Sequence, residues 1–88
     1  MRFRSFDWDV WNVDHVARHH VEPSEAEAAC RGHAVVRRGR SGSYVVYGRA
    51  EAGRYLFVVA RVLEGGVARI ITARDMTQQE RRFYHGRY

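Results

Sequence analysis

Eighty-eight residues, 45% hydrophobic and 28% charged, make one domain with a single modest core. No apolar run approaches the ~20 residues of a membrane span, the charged N-terminus lacks a secretory apolar region, and the lone Cys30 excludes an internal disulfide. The net charge of +5 is carried by fifteen arginines and no lysine, which favours an anionic partner, nucleic acid or acidic protein; a cytoplasmic address is expected.

Charged and aromatic residues alternate from Arg2 to Trp8, the pattern of a short edge strand or an extended lead-in. Asp7 or Asp9 caps a helix predicted from about Val10 to His20, with Val13 and Ala17, joined by Val16 or Val10, on its apolar side. A second helix starts at Glu22-Pro23, because proline suits the first helical position and Glu25 and Glu27 suit a positive helix end. Gly32 stops it, and Cys30 falls where it would pack, as a small core residue.

From His33 onward the hydrophobic period changes to two. Strands are predicted over Ala34–Arg38, Ser43–Arg49, Arg54–Leu63 and Val67–Arg74, separated by glycine-containing turns. Connections this short force antiparallel neighbours. The stretch from Tyr55 to Val62 is apolar on both faces and is expected to be central and covered. Alternation sets Ile70, Thr72 and Arg74 on one face, with Arg74 at the strand's end. Thr77 and Glu80 then form a capping box that opens a last helix to about His85. The expected fold is α+β: two N-terminal helices, a four-stranded antiparallel sheet (five with the opening segment) and a C-terminal helix.

Several residues could carry chemistry. Asn12, His15 and His19 share one face of the first helix, which is read as a polar face against the sheet edge, as a source of a proton shuttle from His15, His19 or His20, or as half of a metal site. Catalytic zinc needs a third ligand, and Glu22, Cys30 and His33 have no recognisable spacing for it, so no metal is assigned. Arg37, Arg38 and Arg40 surround the first hairpin turn and Arg49 and Arg54 flank the second, either as solvated loop tips or as a basic rim that tracks a nucleic-acid backbone. Tyr44, Tyr47 and Tyr55 lie among them as sheet-packing rings or stacking platforms.

Arg61 interrupts the apolar strand and must either pair with Glu64 or Asp75 or line a cleft with Arg74. Tyr84 either staples the last helix to the sheet or points into that cleft. No motif for a Ser or Cys nucleophile, a phosphate-cradling glycine loop or a paired-carboxylate site is present, and nothing calls for a cofactor. Arg, His and Tyr suit metal-independent RNA cleavage, in which the 2′-hydroxyl attacks internally.

Two stretches carry a resemblance. Trp8-Asp9, then Trp11-Asn12, His15, His19-His20-Val21 and Glu25-Ala26-Glu27, resemble the opening of BrnT-like proteins, the toxin components of type II toxin–antitoxin pairs. Tyr47-Gly48-Arg49, Gly53-Arg54-Tyr55-Leu56-Phe57-Val58-Val59, Arg69-Ile70-Ile71-Thr72-Ala73-Arg74 and Glu80-Arg81-Arg82 with Tyr84 are similar to that family's second half. The family pattern has Lys in the first helix and ends Lys-His-Gly-Val, where this chain has Asn12 and Arg18-His19-His20-Val21.

The resemblance implies a RelE/ParE-like fold, a metal-independent endoribonuclease and an antitoxin partner that covers the basic surface. It matches the family's strand-end arginine to Arg74, and the final helix's Glu-Arg and Tyr to Glu80, Arg81 and Tyr84. The leading expectation is a toxin-like RNA endonuclease in which Arg74 and Arg61 hold charge on the scissile phosphate. His20 or His15 and Tyr84 would move protons or position RNA, and Arg37, Arg38, Arg49, Arg54 and Arg81 would bind it. The alternative is a non-catalytic binding module for an acidic antitoxin-like protein or a nucleic acid. Neither expectation involves a membrane, and a homodimer is compatible with both.

Overall fold

Each helix begins where an acid, amide or hydroxyl can take up its orphan backbone donors. The computed structural model describes residues 3–87, so Met1, Arg2 and Tyr88 lie outside it, and with them the part of the opening strand expected at Arg2. Among the described residues the elements run β1 (Ser5–Asp7), α1 (Val10–Ala17), α2 (Pro23–Arg31), β2 (Val35–Arg38), β3 (Ser43–Arg49), β4 (Tyr55–Val62), β5 (Val67–Asp75) and α3 (Gln78–Arg87). Asp9 Oδ1 accepts from Asn12 N–H at 3.2 Å while Asn12 Oδ1 accepts from Asp9 N–H at 2.7 Å. The Glu25 carboxylate takes the Glu22 N–H at 3.0 Å, and Thr77 and Glu80 cap reciprocally at 2.8 and 3.1 Å. Among the described residues no helix is long and apolar enough to cross a membrane.

The first helix is shorter than its sequence predicts and turns a different side inward. It closes through bonds from Val21 N–H to the Val16 carbonyl (3.1 Å) and from His20 N–H to the Ala17 carbonyl (2.9 Å), with Val16 and Val21 both in the core. This is a Schellman turn, and His20 occupies its left-handed position at φ 60°. Inward-facing residues are Asn12 and Val16, one turn apart, whereas Val10 is 86% exposed and Val13 and Ala17 are also at the surface. A side chain at φ above zero costs about 1 kcal/mol that glycine does not. His20→Gly is therefore expected to raise the melting temperature by roughly 5 °C in a thermal melt.

The five strands form one sheet in the order β1-β5-β4-β3-β2. Three pairings are antiparallel, as the short turns require, but β1 runs parallel to β5 with Asp7 opposite Arg69. The expectation of a wholly antiparallel sheet is thus corrected to a mixed one. Two helices separate β1 from its nearest strand in sequence, so no hairpin constrains its direction.

α1 and α2 cover one face of the sheet. Val16, Val21, Ala26, Ala29 and Cys30 meet Val46, Leu56, Val58, Ala60, Ile70 and Ala73 there, all buried. Burial pushes the Cys30 thiol up to about 12, consistent with a packing role. α2 approaches β3 at Gly48, where a Cβ would fall 2.1 Å from the Ala29 carbonyl oxygen.

A β-bulge re-aims the last strand. Val59 pairs with Thr72 and Ala60 with Ile70, leaving Ile71 as the extra residue. Ile70 consequently points into the helix-covered core, while Thr72 and Arg74 point to the opposite face; the expected sharing of one face by all three is overturned. β4 is central, as its apolarity requires. Its second face is covered only in part, where α3 lays Phe83 and Tyr84 over a cluster with Tyr47, Tyr55, Phe57 and Met76.

Candidate anion-binding face

Strand register arranges the side chains on this second face into rows, because residues opposite one another share a face. The first row is Arg74, Phe57, Tyr47 and Val35; the second is Thr72, Val59, Val45 and Arg37; the third is Arg69, Arg61 and Ser43. α3 seats on the first row. Thr72, Val59 and Val45 remain half-buried, giving an open apolar floor with guanidinium groups around it.

The guanidinium groups are not equivalent. Arg74 lies 4.0 Å over the Phe57 ring and is held by both carboxylate oxygens of Glu80, at 2.8 and 2.9 Å. Arg69 pairs with Asp7 at 3.0 Å and Asp9 at 3.1 Å, at the β1 edge. Arg37 stacks 4.7 Å over Phe83, and Arg61 donates to the Ser41 carbonyl at 2.6 Å. Neither Arg37 nor Arg61 has a carboxylate partner among the described residues, so the expected pairing of Arg61 with Glu64 or Asp75 does not occur. These two carry the uncompensated charge of the face.

The five residues expected to form one catalytic group are not brought together. Arg61 and Arg74 share the open face, but Arg74 stands opposite Phe57, four residues along β4 from Arg61, a backbone separation of about 13 Å. Tyr84 is 1% exposed and its hydroxyl donates to the His33 carbonyl at 2.6 Å, so it staples α3 to the start of β2. His15 stacks on Trp11 (4.9 Å between ring centroids) on α1, a helix that packs against the other side of the sheet. His20 sits exposed in the α1–α2 turn.

The expected RNA-binding arginines divide in the same way. Arg37 lies on the open face. Arg38 is exposed on the opposite side of β2, 6.0 Å over Tyr44. Arg49 and Arg81 flank Tyr55 at the end of the sheet. Arg54 is structural: it donates to Asp75 at 2.7 Å, to Glu25 at 3.1 Å and to the His20 and His19 carbonyls at 2.6 and 3.2 Å, binding the α1–α2 turn to the end of β5. Phe57 and Phe83, over which Arg74 and Arg37 lie, were not singled out by the sequence; alternation in β4 was the available signal for Phe57.

Hydrogen bonds from Arg74 hold the Glu80 carboxyl below its usual range, and those from Arg54 do the same for Asp75. A carboxyl depressed in the folded state contributes stability above its unfolded pKa and loses it as pH falls through the folded value. Stability is therefore expected to decline with acidification below about pH 4, and Glu80→Gln to flatten that decline in a series of melts across pH.

No group of three His, Cys, Asp or Glu side chains that could hold a metal ion occurs among the described residues. One concavity lies elsewhere, between α2 and the β3–β4 turn, and mixes Glu25, Glu27 and Glu51 with Arg31 and Arg49, a lining with no net preference for anions. Neither a protein-family model nor a curated protein matches the chain.

Proposed function

We propose that this protein binds single-stranded RNA on the open sheet face, as the toxin-like member of a type II pair with a BrnT-like, RelE/ParE-like fold. One observation carries the reading: an apolar sheet floor is bordered by Arg37 and Arg61, which have no acid partner among the described residues, and by Arg74, whose guanidinium lies 4.0 Å over the Phe57 ring. Half-buried valines and ring edges can pack against bases, and the guanidinium forks can donate to phosphodiester oxygens. Glu80 occupies Arg74 in the free protein in the way a phosphate would.

Cleavage of that RNA is a second reading, favoured by the shared face of Arg61 and Arg74: Arg74 would hold the scissile phosphate and Arg61, about 13 Å along the strand, one further on, while the 2′-oxygen bonds to phosphorus, the P–O5′ bond breaks, and water takes the 2′-hydroxyl proton and returns one to the departing 5′-oxygen. It does not use His15, His20 or the Tyr84 hydroxyl. An acidic antitoxin segment would compete for the same arginines.

Fluorescence anisotropy with a labelled oligonucleotide tests the binding. The affinity is expected to fall with salt, and Arg37→Ser with Arg61→Ser to reduce the log–log salt slope by about 1.4, two phosphate contacts on a single strand. An unchanged slope and affinity would remove the open face as the RNA site. Shortened RNA in the same reactions, lost in Arg74→Ala, would support the second reading; intact RNA would leave binding alone.

A further inference from the structure

α3 has two flanks, and only one faces the site just described. Glu80 and Phe83 turn toward Arg74 and Tyr47, whereas Arg81 and His85, one turn apart, turn toward Tyr55 at the sheet's end. Around the Tyr55 ring, the Arg81 guanidinium carbon lies 4.2 Å and that of Arg49 4.6 Å from the centroid, and the His85 imidazole meets the ring edge-on at 5.3 Å. The two guanidiniums are therefore no further apart than the sum of their distances to that ring.

No acid among the described residues pairs with this group. Arg49, Arg81 and His85 are exposed, and none has a carboxylate partner among the described residues. Arg49 makes only long contacts, 3.4 Å, to the Gly53 carbonyl. Arg54, Arg69 and Arg74, by contrast, are all bound by acids. A guanidinium resting over a ring is positioned before any ligand arrives, and the N–H groups not bound internally can donate to phosphate oxygens.

We infer that this flank is a second phosphate-binding site, on which a nucleic-acid strand leaving the open face continues past the first turn of α3. The inference rests on the open-face reading for its ligand. Continuity supports it: Tyr55 is two residues from Phe57 on β4, about 7 Å along the strand, and Arg81 directly follows Glu80, the partner of Arg74. A strand bound at Arg74 reaches Arg81 within one or two nucleotides.

The test compares a four-nucleotide with a twelve-nucleotide single-stranded RNA. Wild type is expected to bind the longer at least tenfold more tightly. Arg49→Gln with Arg81→Gln keeps the short-oligonucleotide affinity within twofold, abolishes the length advantage and lowers the long oligonucleotide's salt slope by about 1.4. If thermal melting shows that pair to be unstable, Arg81→Gln alone, at an exposed position, is expected to lower the slope by about 0.7. Unaltered binding of the longer RNA, or equal losses for both lengths, would overturn the second site. So would a hexaglutamate peptide that binds this flank as tightly as the longer RNA, since the partner would then be an acidic protein. Failure of the open-face reading has a different signature: wild type leaves the short RNA unbound, or the Arg37/Arg61 variant binds it normally.

Discussion

Gly48→Ala is expected to lower the melting temperature by about 15 °C, a loss of roughly 3 kcal/mol in an 88-residue domain. The added methyl carbon would stand 2.1 Å from the Ala29 carbonyl oxygen, 2.8 Å from its carbon and 3.1 Å from its Cα. All three are backbone atoms of α2, so no side-chain rotation relieves the overlap, and the helix must lift from the sheet. Lifting it separates Ala26, Ala29 and Cys30 from Val46 and Leu56, which are packed without solvent contact or nearly so. Ala29→Gly should not rescue the variant, because the obstructing atoms remain. A melting temperature within a few degrees of wild type would mean that α2 does not approach β3 this closely.

Asn12→Leu is expected to cost about 4 kcal/mol, enough to leave much of the protein unfolded near 50 °C. Asn12 is fully buried, and its side chain satisfies three backbone groups. Its Nδ2 donates to the Asp7 carbonyl at 2.8 Å and the Ile70 carbonyl at 2.9 Å, while its Oδ1 takes the Asp9 N–H. β1 ends at Asp7 opposite Arg69, so the Ile70 carbonyl lies past its end, and Asn12 substitutes for the missing strand donor. Leucine would fill the volume and leave the Ile70 carbonyl unpaired in the core and the partly buried Asp7 carbonyl and Asp9 N–H without this partner. Asn12→Asp should be at least as damaging, because it loses both donors and sets a buried carboxylate beside two carbonyls. Chemical denaturation would read both; a loss below 1 kcal/mol would show that water replaces the side chain.

Local signals made much of this fold legible. The glycine-bearing turns bounded the strands to within a residue, and the Thr77–Glu80 box opened α3 as read. What sequence did not disclose were partners distant in the chain. Asn12, beside His15 and His19 at helical spacing, looks like part of a polar surface; only the Ile70 carbonyl, 58 residues away, explains its burial. The bulge at Ile71 has no marking glycine, so alternation assigned Ile70 and Arg74 to the same face.

The arginines divide by the same logic. Composition counts fifteen cations, but their roles depend on which acids the fold delivers: Glu25 and Asp75 to Arg54, Asp7 and Asp9 to Arg69, Glu80 to Arg74. Arg37 and Arg61 on the open face, and Arg49 and Arg81 beyond α3, receive none among the described residues. Those four leave positive charge on the open face and on the flank of α3, where it can attract an anionic chain.

Backbone amide NMR during titration with a short single-stranded RNA would show which side of the sheet receives the strand. The largest shifts are expected on Arg37, Val45, Val59, Arg61 and Thr72, with the exposed surfaces of α1 and α2 unmoved. Shifts concentrated on α1 around Trp11 and His15, with the sheet amides unchanged, would contradict binding on the open face.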